Sequence, residues 1–392
     1  MRGHVIKRYK NSYTVVLNMG IDPNTGKRKQ QWISVKGNKK DAEKRLAEML
    51  HQIDTGSFMK PGKTTVAEFL ERWLKDYARL NLAPRTAEGY ETIIRCHLAP
   101  GLGSIPLTQL KPEHIQRYYS DMLTNGKCDH KGSLSPTTVR QHHMVLHRAL
   151  HIATNWGLIP RNPADVIDPP RSQRPEMHVM NEDNIQGFLE AARSTPYYAL
   201  FYVALFTGMR RSELLALRWS DADLVLGQIS VNKSLHRLRD GSFVSTQPKT
   251  AKGRRTIALP PSASLTLKQH RERQEQAQLV LGRLVQESDL VFSHPDGSPL
   301  LPDTVSQAWR RLTVRYGLNG IRLHDARHSH ASLMLKQGVH PKIVQERLGH
   351  ASIQMTLDTY SHVAPGLQEA AAMRFDEVLT PKRENRVVEK VG

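Results

Sequence analysis

The sequence predicts a multidomain chain, mainly α with small β elements: an N-terminal three-stranded sheet plus a helix, a helical bundle, and a mixed α/β domain. Three observations carry that expectation. At 392 residues the chain is long for one domain, since domains hold ~100–200 residues. The hydrophobic period changes along it, from short alternating runs to helical spacing and then to a mixture of both. A composition of 39% hydrophobic and 24% charged residues suits packed cores rather than disorder. The expected divisions are 1–56, 65–165 and 175–375, followed by a polar tail at 376–392.

Each element has a local cause. Val5, Ile6 and Tyr9, then Tyr13, Val15, Val16 and Leu17, then Trp32, Ile33 and Val35 read as three short strands. The run Asp22-Pro23-Asn24-Thr25-Gly26 supplies turn chemistry between the last two. From Lys40 to Ile53, Ala42, Leu46, Met49, Leu50 and Ile53 share one helical face. After a linker at 57–64, Thr64 or Thr65 caps a helix carrying Val66, Phe69, Leu70, Trp73, Leu74 and Tyr77. Pro84, Pro112 and Ser135-Pro136 open three more helices. Residues 166–178, VIDPPRSQRPEMH, lack periodicity and read as an interdomain linker. Beyond it, helices are expected over 182–194, 197–206, 211–218, 262–282, 303–316, 324–337, 341–348 and 352–361. Between them, 228–231, 243–245 and 255–259 read as short strands.

The charge narrows the function. Lys and Arg number 56 against 37 Asp and Glu, a net charge of +19. Residues 1–64 alone hold fourteen Lys/Arg against five Asp/Glu. Such an excess favours a polyanionic partner, most simply nucleic acid. A small sheet backed by a helix can lay its open face into a DNA major groove; a solvated basic surface without a specific site has the same composition. No stretch approaches the ~18 consecutive apolar residues of a membrane span, and MRGHVIKRYKNSY lacks the apolar core of a secretory signal. With Cys96 and Cys128 as its only cysteines, the chain cannot build a disulfide framework, and a reducing, intracellular setting is expected. Aromatics at 6% are too sparse for a base-stacking platform along the chain.

Four segments carry chemistry-bearing residues. In Thr207-Gly208-Met209-Arg210-Arg211-Ser212-Glu213, Arg210 sits where one helix breaks and another starts. That is a place for an anion, and a guanidinium there can fork onto a phosphate; pairing with Glu213 is the bland reading. Pro248-Lys249-Thr250-Ala251-Lys252-Gly253-Arg254-Arg255 reads as a basic hairpin turn. Its lysine can deliver a proton or simply attract phosphate. In His324-Asp325-Ala326-Arg327-His328, His324 and Arg327 share a helical face. His324 and His328 also have zinc-ligand spacing, but the metalloprotease glutamate is missing between them. Finally, Gly349 ends a helix, His350 lies in the turn, and Ser352 caps a helix that carries Tyr360. A tyrosine hydroxyl, with a free pKa near ~10, needs neighbouring cations to act as a nucleophile.

Together TGMRRSELLALRW, PKTAKGRRTIALP, HDARHSHASLML and LGHASIQMTLDTYSHV, in that order, resemble the tyrosine recombinases, or phage-type integrases. The likeness covers about residues 179–365. Residues 65–165 look like that family's core-site DNA-binding domain, and 1–56 are similar to its arm-site DNA-binding domains. The resemblance implies a site-specific DNA recombinase that cuts and rejoins strands through a 3′-phosphotyrosine, integrating or excising a mobile element. It implies catalytic roles for Arg210, Lys249, His324, Arg327, His350 and Tyr360, with Tyr360 as nucleophile and Lys252 a rival on the same turn as Lys249. It implies no cofactor and no metal. The partners it implies are double-stranded DNA with core and arm sites, a homotetramer on two DNA sites, and accessory excision or DNA-bending proteins, all in a prokaryotic cytoplasm. C-terminal segments in the family reach a neighbouring protomer, which residues 376–392 could also do. A type IB topoisomerase-like relaxing enzyme and a non-catalytic DNA-binding regulator are the rival readings.

Overall fold

The computed structural model describes residues 3–21, 26, 28–54, 63–127, 132–172, 177–248, 251–360, 372, 373, 375, 376 and 379. The chain is mainly helical with small sheets, and divides into two compact units, Met1–Arg174 and Pro175–Gly392.

In the first unit, β1 (Gly3–Tyr9), β2 (Ser12–Ile21) and β3 (Arg28–Lys36) form an antiparallel sheet in that order. The 22–25 stretch of the expected turn lies outside the described residues. The two-residue period sends Val5, Tyr13, Val15, Leu17, Ile33 and Val35 to one face. There α1 (Lys39–Asp54) covers them with Ala42, Leu46, Met49 and Leu50. On the opposite face Thr14 and Val16, beside Ser34 and Trp32, are also buried, at 6% and 0% exposed. On it Trp32 is 51% exposed, with the Arg8 guanidinium 5.6 Å from its ring, and Gln30 Nε2 donates to Asn18 Oδ1 at 2.9 Å.

The same unit holds the helical bundle, whose own core includes Phe69, Leu70, Trp73, Leu98, Tyr119 and Leu150. Thr65 is the residue that caps α2 (Val66–Trp73), exchanging hydrogen bonds with Glu68 in a capping box. The helix continues through a π-helical turn, Leu74–Ala78, into α3 (Arg79–Asn81). In the same way α4 (Pro84–Ile93) passes through a second π-helical turn, Ile94–Leu98, into α5 (Ala99–Leu102). The longer helices α6 (Pro112–Asn125) and α7 (Pro136–Asn155) complete the bundle, α7 capped by the Ser135 hydroxyl.

A histidine sits inside this core. His142 is 1% exposed, its Nδ1 lies 2.9 Å from the Tyr118 hydroxyl, and its ring is 4.6 Å from that of His97. Burial, and then the neighbouring His97, lower its pKa to about 4. The unfolded chain, with an ordinary imidazole near ~6.5, therefore binds a proton first as pH falls. The stabilisation is complete above that value and is lost as pH drops toward 4. We expect the melting temperature of the chain to fall between pH 6.5 and pH 5, and His142→Gln to reduce that slope. Equal slopes for the two proteins by calorimetry would remove His142 as a cause.

The second unit begins with α8 (Glu182–Ala192) and the almost wholly apolar α9 (Tyr198–Thr207). Its core gathers Phe188, Phe201, Trp219, Leu267 and Trp309. Residues 211–218 are not one helix as expected, because α10 (Arg211–Leu214) is a single turn. The chain then extends, with the Leu217 carbonyl accepting from Val291 N at 2.8 Å and Trp219 N donating to Asp289 O at 3.1 Å. Five short strands follow: β4 (Ala222–Asp223), β5 (Gln228–Val231), β6 (Ser234–Arg237), β7 (Phe243–Thr246) and β8 (Arg255–Ala258). They make two sheets, β4-β5-β8 and β6-β7.

This topology corrects the expected hairpin at 248–255. The turn lies instead at Leu238–Ser242, where Leu238 N donates to Ser242 O at 2.9 Å. The basic segment is a break on the returning leg between β7 and β8, which belong to different sheets. Strand β6 was missed because Ser-Leu-His-Arg offers a single apolar residue to a period count. The helices α11 (Pro261–Val280), α12 (Pro302–Arg315), α13 (Asp325–Lys336), α14 (Pro341–Leu348) and α15 (Ile353–Tyr360) stand within two residues of their expected ends. No helix among the described residues is long and apolar enough to cross a membrane.

Candidate active site

Three helix ends meet in the second unit. Helix α9 stops at Gly208, which takes the left-handed conformation with φ 65°. A Cβ there would come within 2.6 Å of Leu348 Cδ2 and 2.9 Å of His330 Cδ2, so the position needs glycine twice over. Two residues on, Arg210 is the N-cap of α10. Its backbone N–H donates to Glu213 Oε2 at 2.9 Å, and its Nη1 donates to Oε1 of the same carboxylate at 2.7 Å. The Arg210 side chain remains 39% exposed, whereas that of Glu213 is 2% exposed.

Arg327, on α13, is 3% exposed. Its Nη1 donates to the Gly208 carbonyl at 2.8 Å and its Nη2 to the Leu348 carbonyl at 2.7 Å, so one guanidinium spans the C-terminal ends of α9 and α14. Helix ends leave carbonyls without partners in the helix, and a cation is favoured there. Gly349, with φ 67°, then turns the chain so that His350 lies inward, 6% exposed. His350 Nδ1 is 2.9 Å from the Thr356 hydroxyl on α15. Desolvation first, then the charges of Arg327, Arg210, Arg255 and His328, lower its pKa to about 3. The imidazole is therefore neutral at pH 7, held within a group of cations.

His324 precedes α13 on the solvent side, its ring 5.0 Å from that of His328 in an edge-on contact. Desolvation, His328 and Arg327 lower its pKa to about 4, so it is available as a proton acceptor at neutral pH. Tyr360 closes α15, which packs against α13 and α14; its side chain lies outside the described residues. Lys249 also lies outside them. Its rival Lys252 donates from Nζ to the Ala351 carbonyl at 2.9 Å, next to His350. The structure thus brings together Arg210, Arg327 and His350, with His324 beside Arg327. Among the described residues no group of three His, Cys, Asp or Glu could hold a metal ion.

Four further residues belong to this cluster, and three of them the sequence reading left out. Glu213, read there as a mere partner for Arg210, also binds Arg255, whose Nη2 lies 2.9 Å from Oε2. Burial alone would raise the pKa of Glu213; the hydrogen bonds and charges of Arg255 and Arg210 overcome this and hold it below the usual carboxylate range. Arg347 donates to the carbonyls of Phe206 and Ala258 and, through Nε, to His330 Nε2 at 3.0 Å. His330 Nδ1 lies 2.9 Å from the Leu205 carbonyl. A carbonyl on one ring nitrogen and an N–H donor on the other fix His330 as the neutral Nδ1–H tautomer. The spacing of Arg210 and Glu213 was a usable signal. Nothing local marks Arg255, Arg347 or His330, whose partners are far away in sequence. Chemically, the arrangement offers fixed guanidiniums and three neutral imidazoles, His324, His330 and His350, a set suited to anionic oxygens and to moving protons beside them.

Comparison with known proteins gives consistent matches. The model of the phage integrase family matches residues 178–366, and that of the phage integrase N-terminal SAM-like domain matches residues 65–123. An integrase of Streptomyces ambofaciens is 30% identical over 379 residues, covering 93% of each chain. Among solved structures, the Tn1549 transposon integrase in complex with a circular intermediate DNA aligns at a TM-score of 0.65 with 22% identity, over 80% of this chain and all of that one. A lambda integrase tetramer bound to a Holliday junction aligns at 0.54 with 21% identity, over 89% of this chain and 95% of that one. These two likenesses concern the fold.

Proposed function

Since the chain belongs to the phage integrase family, it is a site-specific DNA recombinase of the tyrosine type, and we propose that the arginine–histidine cluster is where it cuts and rejoins strands. The observation that carries this reading is the convergence of Arg210 and Arg327 on His350, from three separate helix ends.

In this reading the Tyr360 oxygen attacks the scissile phosphorus of duplex DNA. The P–O5′ bond breaks, leaving a 3′-phosphotyrosine and a free 5′-hydroxyl. The phenol proton passes to His324, which is neutral and near Arg327. The 5′ oxygen takes a proton from Lys249. Arg210 and Arg327 hold the non-bridging oxygens and stabilise the charge added in the transition state. His350 donates to one of those oxygens or orients the tyrosine. The phosphotyrosine keeps the bond energy, so a 5′-hydroxyl from another strand reverses the step, and exchange needs neither ATP nor metal.

Two duplexes must be joined, so we read the acting form as a homotetramer on two core sites in a prokaryotic cytoplasm, assisted by accessory excision or DNA-bending proteins. The lambda integrase tetramer on a Holliday junction supports that reading. We assign 65–165 to the core site, 175–375 to catalysis and 376–392 to contact with a neighbouring protomer. The exposed part of the N-terminal sheet around Arg8, Trp32, Gln30 and Asn18 is assigned to an arm site. Removal of residues 1–56 should weaken binding to arm DNA by at least about tenfold, because many of the cations go with it, while a short core duplex is still cut. Loss of core cleavage in the truncated chain would refute that division.

The function itself is tested by mixing the chain with two duplexes taken from the DNA that flanks its gene. A recombinase yields crossover products. Relaxed supercoils without crossovers would indicate a topoisomerase-like enzyme, and binding without any covalent adduct a regulator.

A further inference from the structure

Arg255 sits at the junction of all these parts without occupying any position the family motifs assign to catalysis. It is the first residue of β8, its side chain is 6% exposed, and it makes four kinds of contact. Nη2 donates to Glu213 Oε2 at 2.9 Å, and Nη1 reaches Glu213 Oε1 at 3.3 Å. Nε donates to the Arg347 carbonyl at the end of α14, at 2.7 Å. Nη1 also reaches the Gly253 carbonyl, inside the basic segment, at 3.2 Å. The fourth contact is steric. A Cβ on Gly349 would meet Arg255 Cδ at 3.0 Å and Nη1 at 3.1 Å, so the turn into His350 is wrapped against this side chain.

We infer that Arg255 is a positioning residue that locks the basic 248–254 segment onto the helix ends carrying Arg210 and His350, and so sets the reach of Lys249. The inference rests on the reading of Lys249 as the acid for the leaving oxygen. Three geometric facts lead to it. The segment joins two different sheets, so no ladder pairs its two ends with each other. Its described residues reach the cluster through two anchors, Arg255 on Glu213 and the α14 end, and Lys252 on Ala351. Of these, Lys252 is exposed and single-pointed, whereas Arg255 is buried and bonded along three directions. A planar fork on a buried carboxylate fixes orientation in a way that a lysine ammonium does not.

The test uses Arg255→Lys in the full chain, which keeps the charge opposite Glu213 and removes the fork. Single-turnover formation of the covalent complex is measured on two substrates. One is ordinary nicked DNA. The other carries sulfur in place of the bridging 5′ oxygen, so that the leaving group departs without a proton. On ordinary DNA the rate should fall about 100-fold, the cost of displacing a catalytic group by about an ångström. On the sulfur substrate most of that deficit should vanish, with DNA affinity near that of the wild type, while a carbonyl left without its donor lowers the melting temperature. A purely structural arginine would lose rate equally on both substrates, and equal deficits would overturn the inference. So would a variant that no longer binds DNA. Lys249→Ala run in parallel separates the two claims. If sulfur rescues Lys249→Ala but not Arg255→Lys, Arg255 is not the anchor. If sulfur fails to rescue Lys249→Ala, the lysine is not the acid and the inference falls with it.

Discussion

Tyr360→Phe forms no adduct with a nicked core duplex that survives denaturation, while the wild-type chain does. The substitution removes one oxygen from the last residue of α15 and leaves the ring. The rest of the cluster then has no nucleophile to activate, because the arginines have no lone pair to offer and the imidazoles serve to move protons or to hold oxygens and partners. Losing a covalent nucleophile costs about four orders of magnitude or more in rate. Binding to the same duplex should stay within about twofold of the wild type, since affinity rests on many cations. An adduct persisting in Tyr360→Phe would transfer the role to another residue.

Arg327→Lys is expected to cost both stability and chemistry. The guanidinium joins the Gly208 and Leu348 carbonyls with two different nitrogens, and a single ammonium cannot span both. At least one buried helix-end carbonyl is left unpaired, a loss of about 1–3 kcal/mol. The displaced charge removes transition-state stabilisation on top, about 10²–10³-fold for one such donor. Thermal melting together with single-turnover cleavage separates the two parts. Arg210→Lys provides the contrast: Arg210 is 39% exposed and bonds within its own turn, so its replacement should slow cleavage with little change in melting. Wild-type melting in Arg327→Lys would show that the two carbonyl bonds contribute nothing.

The elements most legible in the sequence were those specified locally. A glycine closes α9 and another closes α14, and serine and proline open α7. Arg210, His324, Arg327 and His350 were singled out by motifs that resemble the tyrosine recombinases, and the fold sets each at or near a helix boundary. What stayed hidden depends on distant partners. Arg255 reads as one more cation in a basic run until Glu213, far away in the chain, is seen beneath it. The same holds for Arg347 and His330, and for the switch of sheet between β7 and β8, which strand pairing decides and residue period does not. The two π-helical turns were invisible for a related reason, since an extra residue in one turn only shifts the phase of a pattern that otherwise stays helical.

The way these guanidiniums are tethered has an electrical consequence. Arg210 and Arg255 bond a carboxylate, the same one, whereas Arg327 and Arg347 bond backbone oxygens where α9, α14 and β8 end. A carbonyl immobilises a cation without discharging it. Glu213 offsets one charge of its pair, but Arg327 and Arg347 are mounted on neutral insulators, so their voltage remains for whatever polyanion arrives.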